Sequence, residues 1–226
     1  MEKEKNVREN SKLVLEREAI VEDLRLRIVN LDLPSGSKLR EEELAASYGV
    51  SRARLREAFL LLEDRGLIER EPNRGATVAG LNLKKATELF ELRSVLEGLA
   101  ARLATKRAPD GAWDDLIELF GKPALDAIKE HDMEFYLSCV AQFRARTVDL
   151  ADNALLSKSI SLIVDQTSVL MKRLVLVPGR AETGVEANRQ ILIAMRDRDH
   201  KLAEQLKREN IENARRDYKR YEAFVK

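Results

Sequence analysis

The sequence is poor in the residue types that build disulfides, metal centres and catalytic sites. Its 226 residues include one cysteine, Cys139, and two histidines, His131 and His200, and only 5% of them are aromatic. A single cysteine excludes an internal disulfide and is typical of a protein from a reducing cytoplasm. Two isolated histidines provide neither a nucleophile–base pair nor a metal cluster, so the composition argues against an enzyme.

Long apolar runs and a strong net charge are also missing. No apolar run exceeds five residues, the length of Ala58–Leu62, so none could span a bilayer and no membrane partner is expected. Residues 1–12 contain no apolar segment, and we expect a flexible tail over residues 1–15 rather than a secretory signal. Residues 1–80 hold 15 Lys and Arg against 16 Asp and Glu. Any binding of nucleic acid by this region must therefore depend on where its charges lie.

What the sequence does contain is a helix-turn-helix pattern followed by a hairpin. A short helix is predicted over Glu41–Tyr48, closed by Gly49, a residue that tolerates the positive φ of a tight turn. Ser51 is a good N-cap for a third helix that reaches Arg65. Two short strands around Pro-Asn-Arg-Gly are predicted within Leu67–Val78. This order of elements predicts a winged helix-turn-helix, which places one helix in the major groove of DNA.

The chain is predicted to divide near Gly80 into two domains, residues 16–80 and 81–226. The first domain opens with an amphipathic helix over Arg17–Val29, and the second shows only helical patterns, so the fold class is mainly α with a C-terminal all-α bundle. Asn82 is predicted to cap a helix whose inner face carries Leu89, Leu92, Leu96, Leu99 and Leu103. The later helices are predicted over Trp113–Phe120, Pro123–Glu130, Met133–Ala151, Ala154–Leu176, Glu182–Arg196 and Asp199–Phe224.

The first two turns of the third helix carry the candidate DNA contacts Ser51, Arg52, Arg54 and Arg56. The planar guanidinium of arginine can hold guanine O6 and N7 together or clamp a phosphate. Arginines on an isolated helix more often form a solvated face paired with nearby acidic residues. Here the preceding turn and the following hairpin favour DNA. The acidic run Glu41–Glu43 is interpreted as a solvated face.

These motifs resemble a known family. The segment Ser51–Ala58, with Glu43-Leu44-Ala45 before it and Arg74-Gly75-Ala76-Thr77-Val78 after it, resembles the winged helix of GntR-family regulators. The second half resembles their FCD effector domain in the FadR-like branch, through residues that include Glu91, Leu92, Arg93, Leu96, Glu97, Phe143, Asn153, Arg189, Leu192 and Asp199.

The resemblance implies a homodimeric transcription factor, most often a repressor, that binds a double-stranded DNA operator and a small-molecule effector. By this resemblance Arg52, Arg54 and Arg56 contact bases or phosphates, and Arg74 and Gly75 place the wing in the minor groove. Residues 81–226 form the effector-binding and dimerisation domain.

The chain departs from this family at its metal site. Many FCD domains bind a divalent metal through one aspartate and three histidines, and the corresponding positions here hold Val140, Arg144, Asn188 and Asn210. Two histidines cannot supply three imidazole ligands, and the side chain of Val140 has no ligating atom. We therefore expect no metal and no other cofactor.

The residues at these positions suggest a different kind of site. Arg144, Asn188 and Asn210 interrupt the apolar stripes of their helices, where an unpaired polar group costs about 1–3 kcal/mol. We expect Arg144, together with Arg93, to bind the carboxylate or phosphate of an effector, and the two asparagines to orient it. The alternative is a decayed effector site whose polar groups pair internally, in a ligand-independent architectural or scaffold protein that binds DNA.

Overall fold

The computed structural model of the chain describes residues 17–71 and 75–221. They belong to two compact units, Met1–Leu81 and Asn82–Lys226. The flexible tail predicted for residues 1–15 lies outside the described residues. None of the helices within the described ranges is long and apolar enough to cross a membrane.

The first unit combines helices with one small antiparallel sheet. Helix α1 covers residues 17–29, and it is followed by β1 (Lys38–Leu39), α2 (Glu41–Tyr48), α3 (Arg52–Asp64), β2 (Ile68–Glu71) and β3 (Gly75–Val78). Strand β3 pairs with both other strands, which gives the order β1-β3-β2. The predicted hairpin is the pair β2 and β3. Strand β1 was not predicted, because two residues are too few to show an alternating pattern.

The turn between α2 and α3 forms as its residues predict. Gly49 has a φ of 65°, and its N–H donates to the carbonyl of Ala46. The hydroxyl of Ser51 accepts a hydrogen bond from the backbone N–H of Arg54 at 3.3 Å, which caps α3. Three apolar residues of α3 are fully buried, namely Leu55, Phe59 and Leu62. The local signals in this part of the sequence therefore agree with its structure.

The second unit is helical throughout the residues described. Its helices are α4 (Leu83–Arg107), α5 (Asp114–Leu119), α6 (Lys122–Lys129), α7 (Met133–Leu150), α8 (Ala154–Ser161), α9 (Val164–Leu174), α10 (Arg180–Arg196) and α11 (His200–Arg220). Asn82 caps α4 as predicted, by accepting a hydrogen bond from the Lys85 N–H. The prediction of one helix over Ala154–Leu176 is wrong. The chain tightens to an i to i−3 hydrogen bond at Ile163 without a proline or glycine to mark the break.

The prediction for the inner face of α4 is correct only in part. Helix α4 packs along α11 through a face of small and charged residues, and its close approach is visible at Gly98, where a Cβ would lie 2.9 Å from the Arg208 side chain. Of the five leucines expected inside, Leu89 is buried, and Leu96, Leu99 and Leu103 are partly buried against the core, whereas Leu92 is exposed. Small side chains occupy the centre of the contact between α4 and α11 because they let the two helix backbones come close together. The buried face comprises Ala86, Leu89, Phe90, Arg93, Glu97, Gly98, Ala100, Ala101, Ala104 and Thr105.

Candidate DNA-reading helix and buried charge cluster

Helix α3 presents two of its arginines on one accessible side. Arg52 and Arg56 are one turn apart, and their side chains are 59% and 56% exposed. Arg54 lies on a different side of the helix, half-buried and 3.7 Å from a carboxylate oxygen of Glu57. The accessible pair is therefore better placed than Arg54 to enter a groove of DNA.

Acidic residues of α2 lie beside this arginine pair. The Nε of Arg56 donates to Glu41 Oε2 at 2.7 Å, and Nη2 of Arg52 lies 3.9 Å from Glu42 Oε2. The prediction that Glu41–Glu43 is a solvated face is wrong for Glu41, whose side chain is only 17% exposed because it packs beneath Arg56. These carboxylates hold the arginines in place and limit their attraction for phosphates in general, which agrees with the near-neutral charge of residues 1–80.

The wing is described only in part. Gly75 opens β3 with a φ of 86°, a left-handed conformation that favours glycine, and it lies exposed opposite Glu71. Arg74 falls among residues 72–74, outside the described residues. The minor-groove roles of Arg74 and Gly75 stay predictions.

In the second unit, a cluster of charged side chains is buried between α4, α7 and α11. The Nε of Arg93 donates to Glu97 Oε1 at 2.7 Å, and Lys207 Nζ lies 3.1 Å from Glu97 Oε2. Arg93, Glu97 and Lys207 are all buried. Lys207 Nζ also lies 5.0 Å from the centre of the Phe143 ring. Arg144 on α7 is near enough for its charge to act on Glu97. We call Arg93, Glu97, Arg144 and Lys207 the charge cluster.

The pKa shifts in the charge cluster reflect burial together with the charges of the neighbouring side chains. Burial by itself would raise the pKa of Glu97, but the charges of Arg93, Lys207 and Arg144 outweigh it and hold that pKa well below its ordinary value. Burial lowers the pKa values of Lys207 and Arg144, and the single carboxylate of Glu97 offsets this only in part. Glu97 is therefore ionised at neutral pH and serves as the common counterion.

A second polar group lies between α7, α10 and α11. Asn210 Nδ2 donates to Asn188 Oδ1 at 3.3 Å, and Arg180 Nη2 donates to Asn210 Oδ1 at 2.9 Å. The Nε of Arg180 lies 3.6 Å from Asp217 Oδ2, and the charge of Arg93 acts on Arg180. The hydroxyl of Tyr136 borders this group, and burial raises its pKa to about 12.

The structure brings the predicted effector residues into two adjoining groups. Asn188 and Asn210 are bonded to each other, and Arg93 and Arg144 lie near the same carboxylate. Their roles toward a ligand stay predictions, and Arg93 already has an internal partner in Glu97.

Sequence reasoning missed the importance of Glu97, Lys207 and Arg180. Lys207 could have been found from its place on the otherwise apolar buried stripe of α11, which holds Ala203, Ile211, Ala214 and Tyr218. Nothing local in the sequence marks Arg180 as buried.

The side chains at the family's metal positions do not fit a divalent cation. Val140 is buried and apolar, Arg144 is cationic, and the two asparagines bond to each other. Within the residues described, no group of three or more His, Cys, Asp or Glu side chains could hold a metal ion. The neighbouring cations Arg93 and Lys207 would also repel one.

Comparison with known proteins decides the family. Residues 16–78 match the model of bacterial regulatory proteins of the gntR family, and residues 88–213 match the FCD domain. The chain belongs to the GntR family. It is 30% identical over 177 residues to a protein of Paenarthrobacter nicotinovorans named as D-xylose utilization operon transcriptional repressor, a match that covers 76% of this chain and 75% of that protein.

Solved structures of GntR regulators share the fold. This GntR-family chain superimposes on Escherichia coli McbR/YncC with a TM-score of 0.71 and 22% identity, over 91% of this chain and 98% of that one. A GntR regulator from Rhodococcus sp. RHA1 gives 0.70 and 20%, over 88% and 95%. The predicted winged helix plus FCD domain is thereby confirmed, as is the prediction of a DNA-binding transcriptional regulator rather than an enzyme.

Proposed function

We propose that this GntR-family regulator is a repressor whose operator binding is controlled by a small anionic metabolite bound without a metal. Effector binding and dimerisation are assigned to residues 81–226, and the regulator works in the bacterial cytoplasm. The observation that supports an anionic effector is the charge cluster, in which three cationic side chains share the carboxylate of Glu97. Burying a charge without a counterion is strongly unfavourable, so an anionic ligand would relieve a strain built into the fold.

The ligand can control DNA binding only through a difference in affinity. It must bind one arrangement of the FCD helices better than another, and operator DNA must favour one of the same two arrangements. Because the charge cluster draws side chains from α4, α7 and α11, an anion held there would change how these three helices pack. The charge cluster is thus placed where ligand binding can alter the helical framework of the domain.

An operator-binding titration tests the effector proposal. Operator DNA is first selected from a random-sequence pool by the protein itself, and its affinity is then measured by fluorescence anisotropy with and without a panel of carboxylic acids and phosphate esters. We expect at least one compound to weaken operator binding by wild type and to have no effect on Arg144→Ala. Arg146→Ala, on the same helix but paired with Asp115, is the matched control and should respond like wild type. If no compound changes operator affinity, the ligand-independent architectural protein becomes the better explanation.

We propose that the second unit forms the homodimer through the leucines that α4 and α8 leave outside. Leu92 and Val95 share one side of α4 and are exposed, and α8 packs against α4. Leu155 on α8 and Leu162 directly after α8 are 79% and 60% exposed. Adjacent exposed apolar side chains on two neighbouring helices are typical of a protein–protein interface. A symmetric dimer would present two α3 helices to a palindromic operator.

Charges introduced at this surface are expected to separate the dimer. The double variant Leu155→Glu/Leu162→Glu should sediment as a monomer at concentrations where wild type is a dimer, because a buried interface cannot hold four unpaired carboxylates. Leu125→Glu on α6, another exposed leucine, should remain a dimer. Analytical ultracentrifugation measures the mass of each species. A dimeric double variant, or a monomeric wild type, would contradict this assignment.

A further inference from the structure

The two polar groups of the second unit together carry more positive than negative charge. Four cationic side chains come from four helices, and two carboxylates, Glu97 and Asp217, pair with them. Two positive charges remain uncompensated among these residues. The cationic side chains are Arg93, Arg144, Arg180 and Lys207.

Three buried donor atoms near these charges make no hydrogen bond, although one of them, Arg180 Nε, has Asp217 Oδ2 at 3.6 Å as an ion-pair partner. Arg144 Nε, Arg180 Nε and Thr167 Oγ1 are buried and make no hydrogen bond. Thr167 lies one turn before Met171 on α9, and Met171 Sδ lies 3.8 Å from Nη1 of Arg93, so this face of α9 is directed at the charge cluster. A buried donor left unpaired costs about 1–3 kcal/mol, and most buried polar groups in proteins are paired. Donors without a hydrogen bond on three different helices indicate a place for an acceptor that comes from outside the chain.

We infer that this site selects a doubly charged anion, a dicarboxylate or a phosphate monoester, over a singly charged acid. The inference rests on the proposed function and specifies the charge of the effector. One dianion compensates the two excess charges and accepts hydrogen bonds from Arg144, Arg180 and Thr167. The fixed side chains thus provide the double positive charge that a divalent metal provides in other FCD domains. Glu97 is a positioning residue, because it holds Arg93 and Lys207 in place without touching the ligand.

Pairs of closely related anions that differ by one charge test the inference. Isothermal titration calorimetry on the full-length protein compares methyl phosphate with methyl sulfate, and succinate with its monomethyl ester, at slightly alkaline pH. The dianion of at least one pair is expected to bind at least about tenfold more tightly than its singly charged counterpart. The additional negative charge is attracted by the cationic side chains, and this attraction is strong in a poorly solvated site. The two pairs also distinguish a phosphate ester from a dicarboxylate as the preferred class.

Two variants separate charge from hydrogen bonding. Arg144→Met removes one positive charge and should reduce the preference for the dianion, whereas Arg146→Met should leave it unchanged. Thr167→Val removes only the hydroxyl. It should weaken both anions of a pair to a similar extent, and it should not lower the melting temperature of the ligand-free protein because an unpaired polar group is lost.

The outcomes distinguish this inference from the proposed function. If both anions of each pair bind equally well and Arg144→Met weakens both, the charge selectivity is refuted while an anionic effector site remains. If none of the four anions binds, the inference and the anionic effector fail together.

Discussion

Replacing Arg52 and Arg56 together with alanine is expected to abolish specific operator binding while the protein stays folded. Both side chains are exposed, and their partners Glu42 and Glu41 come from the neighbouring helix, so their removal costs little stability. Each bidentate contact to a base is worth about 1–3 kcal/mol, so losing two should weaken specific binding by roughly a hundredfold or more. Arg54, on a different side of α3, should contribute less when changed alone.

Anisotropy titrations with selected operator DNA and with scrambled DNA measure this effect. Arg25→Ala, which removes the same type of charge from α1 near Glu22, controls for the loss of positive charge alone. Salt dependence separates the two kinds of contact, since each lost phosphate contact lowers the slope of log affinity against log salt by about 0.9. If the double variant binds its operator almost as tightly as wild type does, α3 is not the reading helix.

The helices and turns of the first unit could be predicted closely from the sequence, because the residues that determine them act on near neighbours in the chain. Gly49 and Ser51 set the turn and the start of α3 through interactions with residues three or four positions away. The hydrogen bond from Arg56 to Glu41 could not be predicted in this way, since it depends on how α2 packs against α3. A charge pattern along one helix does not reveal its partner on the next.

The second unit could be predicted as helices but not as a packed arrangement. Leucine periodicity indicates an apolar face, yet the most deeply buried stripe of α4 is rich in alanine, and the leucines beside it are mostly only partly buried. The packing of α4 against α11 decides this, and the sequence pattern does not show it. The residues at the metal positions lie beside the buried charge cluster, which the sequence pattern did not reveal. Glu97 is the carboxylate that pairs with Arg93 and Lys207 in the charge cluster. It belongs to the α4 motif that resembles the FCD domain, and nothing in that motif distinguishes it from an exposed helical glutamate.

Glu97 and Lys207 illustrate why the site could not be completed from sequence. They lie on α4 and α11, at opposite ends of the second unit in sequence, and meet only because α11 runs along α4. A charged residue on a buried stripe predicts that a counter-charge exists somewhere, because an unpaired buried charge is too unfavourable. It does not predict which of the many acidic residues supplies that charge.

Loss of the Glu97 charge should have the largest effect on stability of any single change considered. Glu97→Gln leaves Arg93, Arg144 and Lys207 buried without their common counterion, and removing one partner of such a group costs about 3–5 kcal/mol. Glu91→Gln on the exposed side of the same helix should change the free energy of unfolding by less than about 0.5 kcal/mol. Adding Lys207→Met to Glu97→Gln should recover part of the loss, since it removes one of the uncompensated cations.

The pH dependence of this effect tests its electrostatic origin. Because the pKa of Glu97 is lowered in the folded state, its stabilisation is complete above the unfolded pKa of about 4.3. It is lost progressively as pH falls toward the folded pKa. The difference in unfolding free energy between wild type and Glu97→Gln should therefore narrow below about pH 4.3. Urea unfolding followed by the fluorescence of Trp113, the one tryptophan of the chain and buried in the second unit, measures it. A difference that stays constant into acid would mean that Glu97 stabilises the domain by packing and not by its charge.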